Sequence, residues 1–312
     1  MSQVRRSFIR EILKVTADPS IISFAGGLPK PDLFPTGPMA DAAAAVLAES
    51  GPAALQYSVS EGEPALREWI AMRYRIKKNM PVDPANVLIT NGSQQSLDLL
   101  AKVYLDPGDV VAMELPGYIG AIQAFSVFEP RFAGVPMNAD GPDPDVLADI
   151  LTRQQAKIFY GVPNFQNPSG LTYSMAARRA VAEAMRISDA IFVEDDPYGE
   201  LRFTDDVMPP VSAFIAQDAF MLGTFSKVAA PGLRLGWVVA DPSALPQLVT
   251  AKQASDLHCS TLVQRILIRY LADNDIDEHI ATLRTVYKAQ RDLMLERIKA
   301  EFPPEVRCTE PD

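Results

Sequence analysis

The stretch Thr224-Phe225-Ser226-Lys227, with Arg234 seven residues beyond the lysine, offers the most reactive chemistry in this 312-residue chain. It follows the apolar run Ala219-Phe220-Met221-Leu222-Gly223, which reads as a buried strand. A lysine at the end of such a strand is a candidate amine nucleophile. Two hydroxyls and a guanidinium close by can hold an anion. A solvated loop lysine has the same local look, so the weight falls on what else arrives at the same place.

Other β-rich runs end in polar strings of the same kind. Asn91-Gly92-Ser93-Gln94-Gln95 opens a helix, with Gly92 allowing a tight turn and Ser93 expected as the N-cap; its free amides and dipole suit an anion. Pro116-Gly117-Tyr118 puts an aromatic ring on a turn, where it can stack on a flat heterocycle. Pro163-Asn164-Phe165-Gln166-Asn167-Pro168-Ser169-Gly170 is a rigid polar turn whose Asn167 amide can donate to a phenolate or a carboxylate. Glu194-Asp195-Asp196-Pro197-Tyr198 sets acids directly after an apolar strand, a costly place for charge unless it has a partner. A carboxylate there can hold a protonated ring nitrogen, and Tyr198 can reach an oxygen on the same ring. Each string alone is compatible with an ordinary turn.

The elements that must position these groups are legible. Short β-rich runs fall at 86–90, 109–114, 131–135, 156–160, 190–194, 219–223 and 235–240. Helical patterns lie at 5–17, 38–49, 61–78, 93–105 and 174–187, and a long amphipathic segment covers 275–301, opening with Asp275 to Glu278 in its first turn. Strand–helix alternation with near-continuous apolar strands predicts an α/β fold: a three-layer large domain around a mostly parallel seven-stranded sheet. In such sheets ligands gather beyond the carboxyl ends of the strands, which is where the polar strings sit.

Composition removes several function classes. Apolar residues make up 48% of the chain, enough for a large core. Lys+Arg 29 against Asp+Glu 39 gives a net charge of −10, with no basic footprint for nucleic acid or an anionic membrane. No apolar run reaches the ~20 residues of a membrane span, and the charged start MSQVRRSFIREILKV is no signal-peptide core. Two cysteines without paired spacing, Cys259 and Cys308, fit a reducing compartment, so a cytoplasmic location is expected. His258 and His279 are isolated in helical stretches, and no metal site is expected. Walker-type and Rossmann strings are absent.

Taken together, the strand ends supply an anion cradle, a stacking ring, an amide, a carboxylate with a tyrosine, and an amine. That set is complementary to pyridoxal 5′-phosphate (PLP), which carries a phosphate, a flat ring, a phenolic oxygen, a ring nitrogen and an aldehyde. The strings SFAGGLPKPDLFP (23–35), LQYSVSEGEPALRE (55–68), ITNGSQQSLDLL (89–100), VPNFQNPSG (162–170), VEDDPYGEL (193–201) and GTFSKVAAPGLRLGW (223–237) resemble those of fold-type I PLP-dependent aminotransferases. Within that family the chain looks like the α-aminoadipate and kynurenine aminotransferase branch, which is also similar to the C-terminal module of PLP-binding transcription regulators.

The resemblance implies that Lys227 carries the cofactor covalently and that Ser93, Gln94, Thr224, Ser226 and Arg234 hold its phosphate. It implies that Tyr118 stacks on the ring, that Asp195 pairs with the ring nitrogen, and that Asn167 and Tyr198 bind the phenolic oxygen. Asp195 is preferred to Asp196 because the family pattern sets that acid three residues before the tyrosine. Tyr57 would reach the phosphate in a neighbouring subunit, which makes a homodimer the expected assembly. Gly27 and Leu28, with Asn167, would line the pocket for an L-amino acid and a 2-oxo acid, the latter expected to be 2-oxoglutarate or pyruvate. Residues 1–38 would form an N-terminal helix and connector belonging to a small domain and active-site lid, 39–272 the large PLP-binding domain, and 273–312 the start of a smaller α+β domain. Family members continue further and there supply an arginine for the substrate α-carboxylate, so the chain is expected to be incomplete. The implied activity is ping-pong transamination. The alternatives are another PLP reaction, such as a β-lyase or decarboxylase, and a non-catalytic effector module, which would need a basic DNA-binding segment ahead of it.

Overall fold

The computed structural model describes residues 20–22, 27–215 and 218–312. The helix expected over 5–17 and part of the connector after it lie outside the described residues. Helices α1 (Thr36–Ala54) and α2 (Pro64–Lys78) precede the sheet. Then follow β1 (Val87–Thr90), α3 (Ser93–Tyr104), β2 (Val110–Leu115), α4 (Ile119–Ser126), β3 (Arg131–Asn138) and β4 (Gly141–Pro142). Next come α5 (Pro144–Arg153), β5 (Ile158–Gly161), α6 (Met175–Arg186), β6 (Ile191–Asp195), β7 (Ala219–Thr224) and β8 (Gly236–Val239). Helices α7 (Leu245–Gln253), α8 (Thr261–Asp273) and α9 (Ile276–Glu301) complete the order.

All seven expected runs form strands. The eighth, β4, is only two residues long and folds back antiparallel on β3. The sheet order is β1-β8-β7-β6-β5-β2-β3-β4. The ladders β2·β3, β2·β5, β5·β6 and β6·β7 are parallel, as crossover connections require. β8 is antiparallel to both β7 and β1. This exception matters for the site. Thr90 at the end of β1 and Thr224 at the end of β7 both lie opposite Gly236, the first residue of β8. Arg234, just before β8, therefore arrives at the same edge as the carboxyl ends of the parallel strands.

The sheet is buried on both faces. On one face Leu88, Val111, Met113, Ile158, Tyr160, Ile191, Val193, Phe220, Leu222 and Val238 form one core with α3, α4 and α7. Their strand neighbours face the opposite layer. There Val87, Ile89, Met221 and Trp237 pack with α2 and α8, and Val110, Ala112, Phe159 and Phe192 pack with α5 and α6. Each buried aliphatic or aromatic side chain stabilises by about 1.5–3 kcal/mol. A one-residue slip of β6 would reverse which core receives Phe192 and would also turn Asp195 to the wrong face. Core packing and site geometry are thus set by the same register.

Local signals start the helices. The Asp143 carboxylate accepts the N–H groups of Asp145 and Val146 at the head of α5, and Ser174 accepts that of Ala177 at the head of α6. Asp275 does the same for α9. Only the first turns of α9 bury side chains, at Ile276, Ile280 and Leu283. Among the described residues no helix is long and apolar enough to cross a membrane, and no group of His, Cys, Asp and Glu could hold a metal ion.

Candidate active site

Lys227 stands three residues past β7 in a helical turn closed by Ala229 N–H on Phe225 O at 2.9 Å. Phe225 anchors that turn. It is buried, with ring centroids 5.7 Å from Trp69 and 4.9 Å from Trp237. The lysine Nζ reaches Gly27 O at 3.4 Å and lies 5.7 Å from the Tyr198 ring centroid. Among the described residues no carboxylate pairs with it. Partial burial lowers its pKa below the ordinary lysine value, as expected where desolvation meets no counter-charge among the described residues.

Three consecutive acids end β6 or follow it, and strand alternation separates their fates. Glu194 faces the α5–α6 layer, where it accepts the N–H groups of Val211 and Ser212 at 3.0 and 2.8 Å and the Ser212 hydroxyl at 2.6 Å. Asp196 pairs with Lys78 and accepts from Asn164 Nδ2 at 2.9 Å and Gly199 N–H at 3.0 Å. Burial pushes the Asp196 carboxyl up, but Lys78, helped by Asn164 and Arg178, more than offsets this and the net shift is downward. Asp195 turns to the other face. Its Oδ2 accepts from Tyr160 Oη at 2.7 Å, while its Oδ1 is buried without a partner among the described residues. Burial pushes this carboxyl up to about 7, against the pull of the Tyr160 hydrogen bond.

The anion end forms where β1, β7 and β8 meet. Gly92 has φ +72°, and a Cβ there would come within 2.6 Å of the Arg234 guanidinium. A Cβ on Gly236 would lie 2.6 Å from Ser93 N. The two glycines thus let the head of α3 and the arginine converge. Arg234 is itself left-handed at φ 52°, a strain of about 1–3 kcal/mol that persists only where the surroundings impose it. Its Nη2 donates to Asn91 O at 3.3 Å and its Nη1 to Pro231 O at 3.4 Å, which leaves other guanidinium donors available. Thr224 Oγ1 lies 2.9 Å from Ser226 Oγ and accepts Ser226 N–H at 3.1 Å.

One expectation changes in detail here. Gly92, not Ser93, occupies the N-cap position, and Ser93 is the first helical residue. The positive φ of Gly92 shifts the cap back by one. Gln94 turns its Nε2 to Gly120 O at 2.9 Å, tying α3 to the loop that carries Tyr118.

Asn167 and Tyr198 come together, with Nδ2 3.5 Å from the phenol oxygen. Burial raises the Tyr198 pKa, against the Asn167 hydrogen bond. The Tyr118 ring folds back over Gly120, where a Cβ would meet it at 2.5 Å, and packs against the core. Gly27 contributes its carbonyl to Lys227, while Leu28 is 71% exposed. Tyr57 is not drawn into this group. It is 80% exposed and meets His258 edge-on at 5.8 Å.

Several residues that shape the site escape a reading of local motifs. Tyr160 is one. Glu114 is another: fully buried at the end of β2, it accepts from Val162 N–H at 2.8 Å, Tyr173 Oη at 2.5 Å and Gln166 Nε2 at 3.0 Å. Gln166 Nε2 also reaches Pro116 O at 2.8 Å, and its Oε1 accepts from Ser169 N–H and Oγ at 2.8 and 2.6 Å. This one cluster locks the loop bearing Asn167 to the loop bearing Tyr118. The available signal was an acid and an amide embedded in otherwise apolar or turn sequence, where burial demands partners.

The arrangement fits PLP on three counts. Among the described residues an amine without a counter-charge and a buried carboxyl oxygen without a partner stand at strand ends of one sheet edge. A glycine-lined cradle of amides, hydroxyls and a guanidinium lies at the same edge. Comparison with known proteins agrees. The model of the aminotransferase class I and II family matches residues 30–312, and the chain belongs to that family. It is a PLP-dependent aminotransferase. Its relatives include a 2-aminoadipate transaminase of Thermus thermophilus, 43% identical over 99% of this chain and 77% of the relative. Among solved structures, the α-aminoadipate aminotransferase of Thermus thermophilus, complexed with N-(5′-phosphopyridoxyl)-L-leucine, superposes with a TM-score of 0.91 at 42% identity, covering 99% of this chain and 78% of that one. The Pyrococcus horikoshii kynurenine aminotransferase, solved with PMP, gives 0.93 at 37% identity and the same coverages.

Proposed function

We propose that Lys227 is the residue that binds PLP covalently and that the chain moves the amino group of an L-amino acid to 2-oxoglutarate or pyruvate in two half-reactions. The observation that carries this reading is that, among the described residues, an amine lacking a counter-charge and the partnerless Asp195 Oδ1 belong to adjacent strand ends of one sheet edge. When bound, the cofactor supplies an electrophilic carbon and an electron sink. Ser93, Gln94, Thr224, Ser226 and Arg234 hold its phosphate. Asn167 and Tyr198 direct hydrogen bonds to its phenolic oxygen, Tyr118 covers its ring, and Asp195 keeps its ring nitrogen protonated by opposite charge.

Lys227 then moves the proton at the substrate α-carbon. An ordinary lysine, titrating near ~10.4, costs about 4.6 kcal/mol to deprotonate at pH 7. Burial works in the required direction by disfavouring the ammonium. The Gly27 carbonyl borders the amine, which suits Gly27 and its chain neighbour Leu28 to the substrate side of the pocket.

The reading extends to assembly and location. A homodimer gives the exposed Tyr57 ring a task at the partner's phosphate, and a cytoplasmic setting suits the free cysteines. Residues 39–272 would form the cofactor domain. The residues from 273 on would open a smaller one, with α9 leaving the core after its first turns.

The test is a single half-reaction. Purified, PLP-loaded protein is mixed with one amino acid and no acceptor, across a panel that includes 2-aminoadipate, aromatic and branched substrates. One equivalent of 2-oxo acid per site, followed by recovery on adding 2-oxoglutarate or pyruvate, is expected. Release of ammonia or carbon dioxide instead would assign the scaffold to lyase or decarboxylase chemistry.

A further inference from the structure

A buried lysine paired with a half-buried aspartate lies behind the anion end, outside every group assigned so far. Lys252, in the last turn of α7, is wholly buried. Its Nζ lies 2.8 and 2.9 Å from the two oxygens of Asp256 and 3.2 Å from Gln95 Oε1. Asp256 Oδ2 also accepts from Asn91 Nδ2 at 2.5 Å and from Gln95 Nε2 at 2.7 Å. Gln95 Oε1 accepts Asn91 N–H at 2.8 Å. Asn91 O, finally, accepts from Arg234 at 3.3 Å. An unbroken chain of contacts thus runs from a buried ammonium to the guanidinium of the cradle.

We propose that Lys252 and Asp256 are positioning residues for the cofactor phosphate: they hold Asn91 and Gln95 so that the head of α3 and Arg234 meet at one point. The proposal rests on the reading of that point as the phosphate cradle. Fixing α7 to α3 does not require charge. A buried ion pair is a weak way to gain stability, and apolar residues of similar volume do as well or better. What the pair does that apolar packing cannot is fix both polar ends of Gln95 and the side-chain amide of Asn91, and Gln95 Oε1, so held, accepts the Asn91 backbone N–H. These residues lie on either side of Gly92 and Ser93, where the chain must turn to present its amides. A half-satisfied cluster would loosen Asn91 and, with it, the Asn91 carbonyl that accepts from Arg234 Nη2.

The test compares two ligands that differ only in the phosphate. Cofactor-free protein is titrated with PLP and, separately, with pyridoxal, and binding is read by fluorescence quenching. Asp256→Asn and Gln95→Met each cut the chain of contacts. A third protein with Lys252→Met and Asp256→Leu removes both charges and so avoids an unpaired buried ammonium. PLP affinity is expected to fall about tenfold in each, the scale of a lost hydrogen bond to a charged group, with pyridoxal affinity changed less than about twofold. Equal losses for both ligands would show a general packing role and overturn the proposal, as would unchanged PLP affinity. Arg234→Ala is the internal control. If that substitution also fails to separate the two ligands, the cradle itself has been misplaced. If it separates them and the other three do not, only the bracing role falls.

Discussion

At the proposed ring end, Asp195 is 3% exposed and one of its oxygens lacks a partner among the described residues; at the proposed phosphate end, Arg234 is exposed and its donors are only loosely engaged. The first region stores an electrostatic cost. Burial pushes Asp195 up to about 7, and it does the same to Glu114 on the opposite face of the sheet. The second stores a conformational one, in a left-handed arginine beside Gly92, whose positive φ disfavours any side chain there. On the proposed reading a cationic ring nitrogen would relieve the first, and a phosphate would give the Arg234 guanidinium held at the second a counter-charge. The two ends would then serve one ligand by different physics, so they should fail differently.

The largest effect is expected at the lysine between them. Lys227→Ala should lower turnover at least about 10³-fold, within the range of a lost general base and nucleophile. Steady-state assay of the loaded protein measures it, and near-normal turnover would remove the amine from the account.

Asp195→Asn comes next, with turnover down about 10²–10³-fold and PLP affinity changed much less. It also has a stability signature. A carboxyl whose folded pKa lies above its unfolded value binds more protons when folded, so stability falls as pH rises from about 4 to about 7. Asp195→Asn should therefore make the cofactor-free protein more stable at pH 8 by on the order of 2 kcal/mol, and denaturant melts at pH 4 and pH 8 would show it. A variant less stable than its parent at pH 8 would mean that the carboxylate already has a partner.

Arg234→Ala should act on the other end alone. PLP affinity is expected to drop about tenfold, with turnover at saturating PLP within about twofold. A fall in turnover at saturation would merge the two ends into one. The smallest change is expected from Tyr160→Phe. The hydroxyl favours the Asp195 carboxylate, so removing it should move the acidic limb of kcat/KM upward by about half a pH unit. A downward move would reverse the role given to that hydrogen bond.

Much of this was legible from local sequence. The strands showed as apolar runs because both faces of the sheet are covered, and the turns beyond them stood out as polar strings. Other features were not. β4 is too short to show a period, and α4 and α5 are short helices whose pattern blends into the flanking strands. The choice among Glu194, Asp195 and Asp196 depends on which face each residue meets, and the decisive partners, Ser212 and Lys78, lie far away in sequence. Tyr160 looked like one more core aromatic until its strand was placed beside β6. Lys252 and Asp256 carry no motif at all, since their meaning comes from Asn91 and Gln95, more than 150 residues earlier.

The central claim is that PLP is joined to the amine of Lys227. The loaded protein can be reduced with borohydride, digested, and its peptides mapped by mass spectrometry. One phosphopyridoxyl group per chain on Lys227 is the predicted result. A label on another lysine, such as Lys78 or Lys252, or no label in a protein that turns over its substrates, would contradict it.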